Sequence, residues 1–172
     1  MREKYNIKRT DFLSITGGKI DSAKRQTLLL MQAVQQIEKR NVKLIVFGSV
    51  INDLKEEVQS FSDGWIQSDD CYKFFATADL VFFSGRHSFL WEQAVGTGVP
   101  CLFKCWEGTT HVGIGGNCAF LYKDSVEEIK YKVEALINEQ LLYKNMKLVA
   151  ENKGLQKFSY LEIAKSSLQS QE

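Results

Sequence analysis

A chain of 172 residues, 44% of them hydrophobic and 25% charged, suits one soluble domain with a sizeable core. Its 22 Lys and Arg nearly balance 21 Asp and Glu, and the net charge of +1 argues against broad electrostatic binding to nucleic acid or to a membrane surface. The longest apolar runs, Leu28 to Met31 and Leu80 to Phe83, fall far short of a membrane span, and Met1-Arg2-Glu3-Lys4-Tyr5-Asn6 lacks the apolar stretch of a secretion signal.

Asp11 to Thr16 reads as a short strand ending in Gly17-Gly18. Asp21 or Ser22 can cap the next helix, which runs to about Arg40 with Leu30, Ala33, Val34 and Ile37 on one face. Lys43 to Phe47 is the second strand, closed by Gly48. Asn52 to Phe61 is a polar helix, and Gly64-Trp65-Ile66 a brief strand. Ser68 caps a helix in which Tyr72, Phe75 and Ala76 face inward. Asp79 to Phe83 is a strand, and Phe89 to Gly96 the helix after it. Pro100 to Lys104 is a strand, Trp106 to Asn117 a Gly-rich loop, and Cys118 to Tyr122 the last strand. Ser125 to Glu128 forms a capping box that opens a helix with Val126, Ile129, Val133 and Leu136 on one face. Two helices follow, about Glu139 to Asn152 and about Phe158 to Leu168.

Strands alternate with helices throughout, and the strands are apolar without polar alternation, so both sheet faces should be covered. The expected fold is α/β, a doubly wound parallel sheet with helices on both faces. One Pro, no repeat and no linker make residues 1–172 one continuous domain. Cysteines at 71, 101, 105 and 118 lack disulfide-scaffold spacing and read as reduced thiols of a cytoplasmic protein.

Ligands of such folds sit beyond the carboxyl ends of the strands. Three loops are candidates there. Gly17-Gly18 lets the backbone approach a ligand closely, and Lys19 offers a point charge. Lys24 falls in the first turn of a helix, where the macrodipole disfavours a cation unless an anion is shared. The same residues also suit a plain tight turn with solvated lysines. The second loop is Ser84-Gly85-Arg86-His87-Ser88. It leads into a helix whose first turn carries Glu92, an acid in apolar company that needs partners. Ser88 stands near the helix start as a candidate cap. The third is Gly113 to Asn117, where Gly115, Gly116 and Asn117 are candidates for a sugar or phosphate, or for a mobile surface loop. His87 sits beside the candidate anion site with no carboxylate partner evident from spacing. His111 reads as a loop residue without a role. Cys101, Cys105, His111 and Cys118 do not match the spacing of zinc ligands, and no metal is expected.

Taken together, these loops resemble the C-terminal, nucleotide-sugar-binding domain of GT-B glycosyltransferases, in particular the retaining group with a Glu-x7-Glu motif. The resemblance runs from about Asp11 to Leu168. Lys19 and Lys24 match the family's diphosphate-binding cations, and Glu92 matches the second Glu of the motif, which holds the donor ribose. Ser84 stands where the first Glu would be. Gly98-Val99-Pro100 and the Gly-rich loop follow in family order, and Phe158-Ser159-Tyr160 is similar to the family's terminal Phe-Ser-Trp helix.

This resemblance implies one half of a GT-B fold and a glycosyltransferase donor domain, with a role in bacterial surface-polysaccharide assembly. It gives catalysis to Lys19, Lys24 and Glu92, and donor contacts to Gly17, Gly18, Ser84, Gly85, Arg86, His87, Ser88, Gly115, Gly116 and Asn117. No cofactor is implied; the donor is a UDP- or GDP-linked sugar. The acceptor, a sugar or lipid-linked glycan, is expected on an N-terminal domain or partner chain outside this sequence, so an excised half of a longer enzyme is expected, at the inner face of the membrane when full length. Two other readings share the fold: a nucleotide-sugar epimerase, and a non-catalytic nucleotide-binding or docking module.

Overall fold

The apolar runs between turn-forming residues become strands, and all of them point the same way. In this computed structural model residues 1–18, 26–38, 41–48, 66–67 and 70–169 are described. The strands are β1 (Phe12–Gly17), β2 (Val42–Phe47), β3 (Leu80–Phe83), β4 (Cys101–Lys104) and β5 (Cys118–Leu121). They form one parallel sheet in the order β2-β1-β3-β4-β5. The helices are α1 (Gln26–Gln35), α2 (Cys71–Phe75), α3 (Leu90–Gly96), α4 (Val126–Asn138), α5 (Gln140–Val149), α6 (Leu155–Phe158) and α7 (Tyr160–Gln169).

Successive strand residues alternate between two cores, as the period of a strand requires. Phe12, Leu44, Val46, Leu80, Phe82 and Leu102 meet α1 and α4 on one face. Leu13, Ile15, Val81, Phe83 and Phe103 meet α2 and α3 on the other. Both faces are therefore covered, and the doubly wound architecture expected from the sequence is the one observed. Trp91 anchors the second face. Its indole stacks on Phe103 at 4.6 Å and 21°, with Phe83 at 6.3 Å, and is 1% exposed. Burying a side chain of that size contributes about 4–6 kcal/mol before the cost of ordering it.

Asp79 sets β1 against β3. Its amide donates to the Leu13 carbonyl at 2.8 Å, and its carboxylate accepts from the Leu13 amide at 2.8 Å and from Arg2 at 2.6 Å. The Tyr143 hydroxyl donates to its carbonyl at 2.8 Å.

Several elements differ from the sequence reading. Helix α1 ends at Gln35 rather than near Arg40, and Ile37 is buried beyond the helix end. In α2 the inward residues are Cys71, Phe74 and Phe75, while Tyr72 and Ala76 are exposed. Phe75 shares a stripe with Cys71, whereas Tyr72 and Ala76 lie on the next stripe round. The helix at Asn52 to Phe61, the Ser68 cap and most of the Gly64-Trp65-Ile66 strand lie outside the described residues; Ile66 is described and is not in a strand. The capping box is half as expected. The Ser125 hydroxyl accepts from the Glu128 amide at 3.2 Å, and the Glu128 carboxylate bonds the amides of Tyr122 and Lys123.

The helix expected to stop at Asn152 instead continues through a π-helical turn, Ala150–Gly154, into α6. The break comes at Ser159, whose hydroxyl accepts from the Glu162 amide at 3.3 Å and caps α7. Phe158 thus ends a helix rather than starting one. This segment carries the chain from one face to the other, since Met146 belongs to the α1/α4 core and Phe158 packs against the α2/α3 core. It fits closely on α3 because each side offers a glycine at the contact, Gly154 in the segment and Gly96 in α3. A Cβ on Gly154 would collide with the Val95 carbonyl, and one on Gly96 with the Phe158 carbonyl.

Gly154→Ala is therefore expected to destabilise the domain by about 1–3 kcal/mol, the usual cost of overpacking. Urea unfolding measures it, and amide exchange should rise over 140–169.

Candidate functional site

β2 and β3 flank β1 on opposite sides, so the chain leaving β1 and the chain leaving β3 depart to opposite faces. A crevice opens between their carboxyl ends. It encloses about 110 Å³ and is lined by Gly17 and Gly18, by Gln26 and Thr27 at the start of α1, and by Ser84, Gly85, Arg86 and Ser88. Six residues singled out from sequence therefore meet in one cleft. Gly18 is required where it stands: its φ is +135°, and it packs against Gly48, where a Cβ would collide with its carbonyl. Lys19 and Lys24 lie outside the described residues, in the segment between Gly18 and Gln26.

The loop from β3 is pinned from the side. The Trp106 indole donates to the Gly85 carbonyl at 3.1 Å. Buried Lys104 pairs with Asp124 at 2.9 Å and lies 5.8 Å from the Trp106 ring. Phe89 is the N-cap of α3 and makes no side-chain cap bond, so Ser88 does not serve as the cap. Arg86 is exposed and makes no ion pair among the described residues.

Glu92 finds the partners its apolar setting demands. They are both histidines of the chain. His87 Nε2 and His111 Nε2 each lie 2.7 Å from Glu92 Oε1. Sequence spacing offered neither histidine a carboxylate; the structure brings both to Glu92. Only tertiary folding carries His111, nineteen residues on from Glu92, to the start of α3. The His87 ring meets Trp91 edge-on at 5.1 Å and the His111 ring at 5.3 Å. Burial pushes the Glu92 carboxyl up, but hydrogen bonds from His111, its own backbone and His87 outweigh it and hold the carboxyl below its ordinary value. Glu92 Oε2 is buried and has no partner among the described residues. The ligating atoms of the three residues all lie within 4.8 Å of one another. Glu92 itself lines not the cleft but a neighbouring apolar groove of about 340 Å³, shared with Tyr72, Phe89, Leu155 and Tyr160.

Gly115, Gly116 and Asn117 are not brought to the cleft. They enter β5, and a loop entering a parallel strand lies at the opposite sheet edge from a loop leaving one. The Asn117 carbonyl accepts from Cys101, the first residue of β4. Gly115 and Gly116 line a separate hollow against α4 and α5. The Asn117 side chain is fully buried and spent within its own loop, accepting from the Ile114 amide at 2.7 Å and donating to the Val112 carbonyl at 2.9 Å.

The cysteines do not form the zinc set weighed from sequence. Among the described residues the group able to hold a metal is His87, Glu92 and His111. Cys101 and Cys118 are register partners across β4 and β5. Burial pushes the Cys118 thiol up to about 12, and pushes Cys101 well up, with Cys118 adding to it. Burial, then Asp70, raises Cys71.

No protein-family model matches this chain, and no curated protein does. Solved structures do. Anabaena Alr3699/HepE in complex with UDP and glucose superposes with a TM-score of 0.78 at 15% identity, over 99% of this chain and 50% of that one. The fold is one half of a GT-B fold. WaaG, a glycosyltransferase involved in lipopolysaccharide biosynthesis, gives 0.70 at 16% identity over 97% of this chain and 49% of that one. The catalytic domain of cholesterol-alpha-glucosyltransferase from Helicobacter pylori gives 0.68 at 13% identity over 84% and 98%. The chain spans about half the length of the first structures it matches. No helix among its described residues is long and apolar enough to cross a membrane.

Two outcomes are expected. Asn117→Ala strands a half-buried amide and a buried carbonyl and should cost about 1–3 kcal/mol in urea unfolding. Mass-mapped alkylation of the native protein at mildly alkaline pH should label Cys105 first, with Cys71, Cys101 and Cys118 reacting only on unfolding.

Proposed function

We propose that this chain is the donor-binding half of a glycosyltransferase and that the cleft between β1 and β3 takes the diphosphate of a nucleotide sugar. The cleft carries the reading. It stands at the point where strand order reverses, and it is walled by glycine backbone that a phosphate can approach. The likeness to structures holding UDP and glucose, across nearly the whole chain, supports it.

Lys19 and Lys24 belong to the segment that joins two walls of the cleft. Each would supply a positive charge to the diphosphate as it departs. In the transfer, the bond between the anomeric carbon and the diphosphate oxygen breaks, and the electron pair leaves with the diphosphate. An acceptor hydroxyl oxygen forms the new bond and loses its proton to a base outside this half. Cations that meet charge as it develops lower the barrier more than they tighten the ground state. Arg86, exposed on the cleft wall, is a third such cation. In this reading Glu92, on the helix that follows the cleft loop, would hold the donor ribose from the groove beside the cleft.

The GT-B half would need an acceptor half, in the same polypeptide or as a partner chain, to bind a sugar or lipid-linked glycan. Surface-polysaccharide assembly at the inner face of the membrane is the setting this reading gives it. The free thiols suit a reducing cytoplasm.

Calorimetry with UDP, GDP and their sugar conjugates at low salt tests the reading. One diphosphate should bind at one site. Lys24→Ala and Glu92→Ala should each weaken it by on the order of tenfold to a hundredfold, the worth of a charge-assisted hydrogen bond. Parent-like binding in both variants would show the site assignment to be wrong.

A further inference from the structure

We infer that His87, Glu92 and His111 form a binding site for one divalent transition-metal ion of the zinc class. The inference starts from donor chemistry. Two imidazoles and one carboxylate are the set that binds such ions with coordination positions left over. Here the set comes from three separate elements: the loop after β3, the first turn of α3, and the 3-10 turn Thr110–Val112. The chain has only two histidines, and both turn the same ring nitrogen to the same carboxylate oxygen at 2.7 Å.

Hydrogen bonding alone uses this carboxylate unevenly. Oε1 receives two donors, while Oε2 is buried and has none among the described residues. A buried acceptor left that way costs about 1–3 kcal/mol. A cation held between the rings and drawing on both oxygens would satisfy it.

The three ligand atoms lie within 4.8 Å of one another. Bonds of about 2.0–2.1 Å place neighbouring ligands about 2.9–3.4 Å apart in octahedral or tetrahedral sites. The two 2.7 Å His–Glu separations must open by a few tenths of an ångström, and the two imidazoles must swing to a common point. Both rings can yield, because their side chains are 33% and 43% exposed. That exposure also gives the ion an entry path and leaves its outer positions to water or an anionic oxygen. Behind the site, Trp91 braces His87 at 5.1 Å and Phe158 lies 6.4 Å from His111. Two imidazoles select against magnesium and calcium, which prefer all-oxygen sites.

Cobalt(II) titration of the full chain, with no nucleotide present, tests the site by visible absorption. One equivalent should bind and develop ligand-field bands of a nitrogen–oxygen site. His87→Gln and His111→Gln should each weaken binding by at least about tenfold. Both side chains are partly exposed, so these variants should keep the parent's urea midpoint and far-ultraviolet dichroism. Zinc should displace the cobalt and erase the bands. Three results would overturn the site: no bands in excess cobalt, bands unchanged in His111→Gln, or a near-ultraviolet thiolate band that moves the ion to a cysteine. The inference does not rest on the nucleotide reading. Cobalt binding without nucleotide binding would sink the donor reading alone, and the reverse result would sink the metal site alone.

Discussion

β1 can serve two neighbours only because Asp79 ties its amino-terminal end to β3 while β2 pairs along its other side. Backbone and carboxylate of Asp79 both bond Leu13, and Arg2 neutralises the charge at 2.6 Å. With the amino ends held in register, the chain must leave the carboxyl ends of β1 and β3 in opposite directions. The cleft is a consequence of that divergence. Gly18 and Gly48 then allow the β1 and β2 turns to lie against each other without a Cβ between them.

The second face carries the burden of aiming the cleft loop. Phe83, Trp91 and Phe103 form a stacked series that locks α3 onto the sheet. The seven-residue helix has little stability of its own. Its position is set by Trp91 inside and by the C-terminal segment outside, where Gly96 and Gly154 let backbones touch. Because Glu92 follows Trp91 directly, the packing that buries the indole also fixes the carboxylate.

That carboxylate joins two loops that sequence places far apart. His87 belongs to the chain leaving β3 and His111 to the chain leaving β4, and Trp106 adds a bond to Gly85. Three contacts thus make the two loops one wall. An acid held ionised by two imidazoles is a centre that either a polyol or a cation can use, and the two proposals differ in which of these it meets.

Much of this was legible in the chain itself. Short apolar strands alternating with amphipathic helices are sufficient for a covered parallel sheet, and Gly17-Gly18 and Ser84 to Ser88 mark the loops that line its crevice. Those are local properties, since periodicity and turn chemistry act over a few residues. What sequence spacing left open was set by long-range packing. Nothing within a few residues of His111 pairs it with Glu92; the fold closes that distance. Gly115, Gly116 and Asn117 look like ligand-loop residues by composition, yet strand direction puts them at the far edge. The run from Gln140 to Phe158 continues past Asn152 because Gly154 fits against Val95, a contact that no helix signal encodes. Local pattern decided which elements form, and tertiary contact decided which side chains meet, because the first depends on neighbours in the chain and the second on neighbours in space.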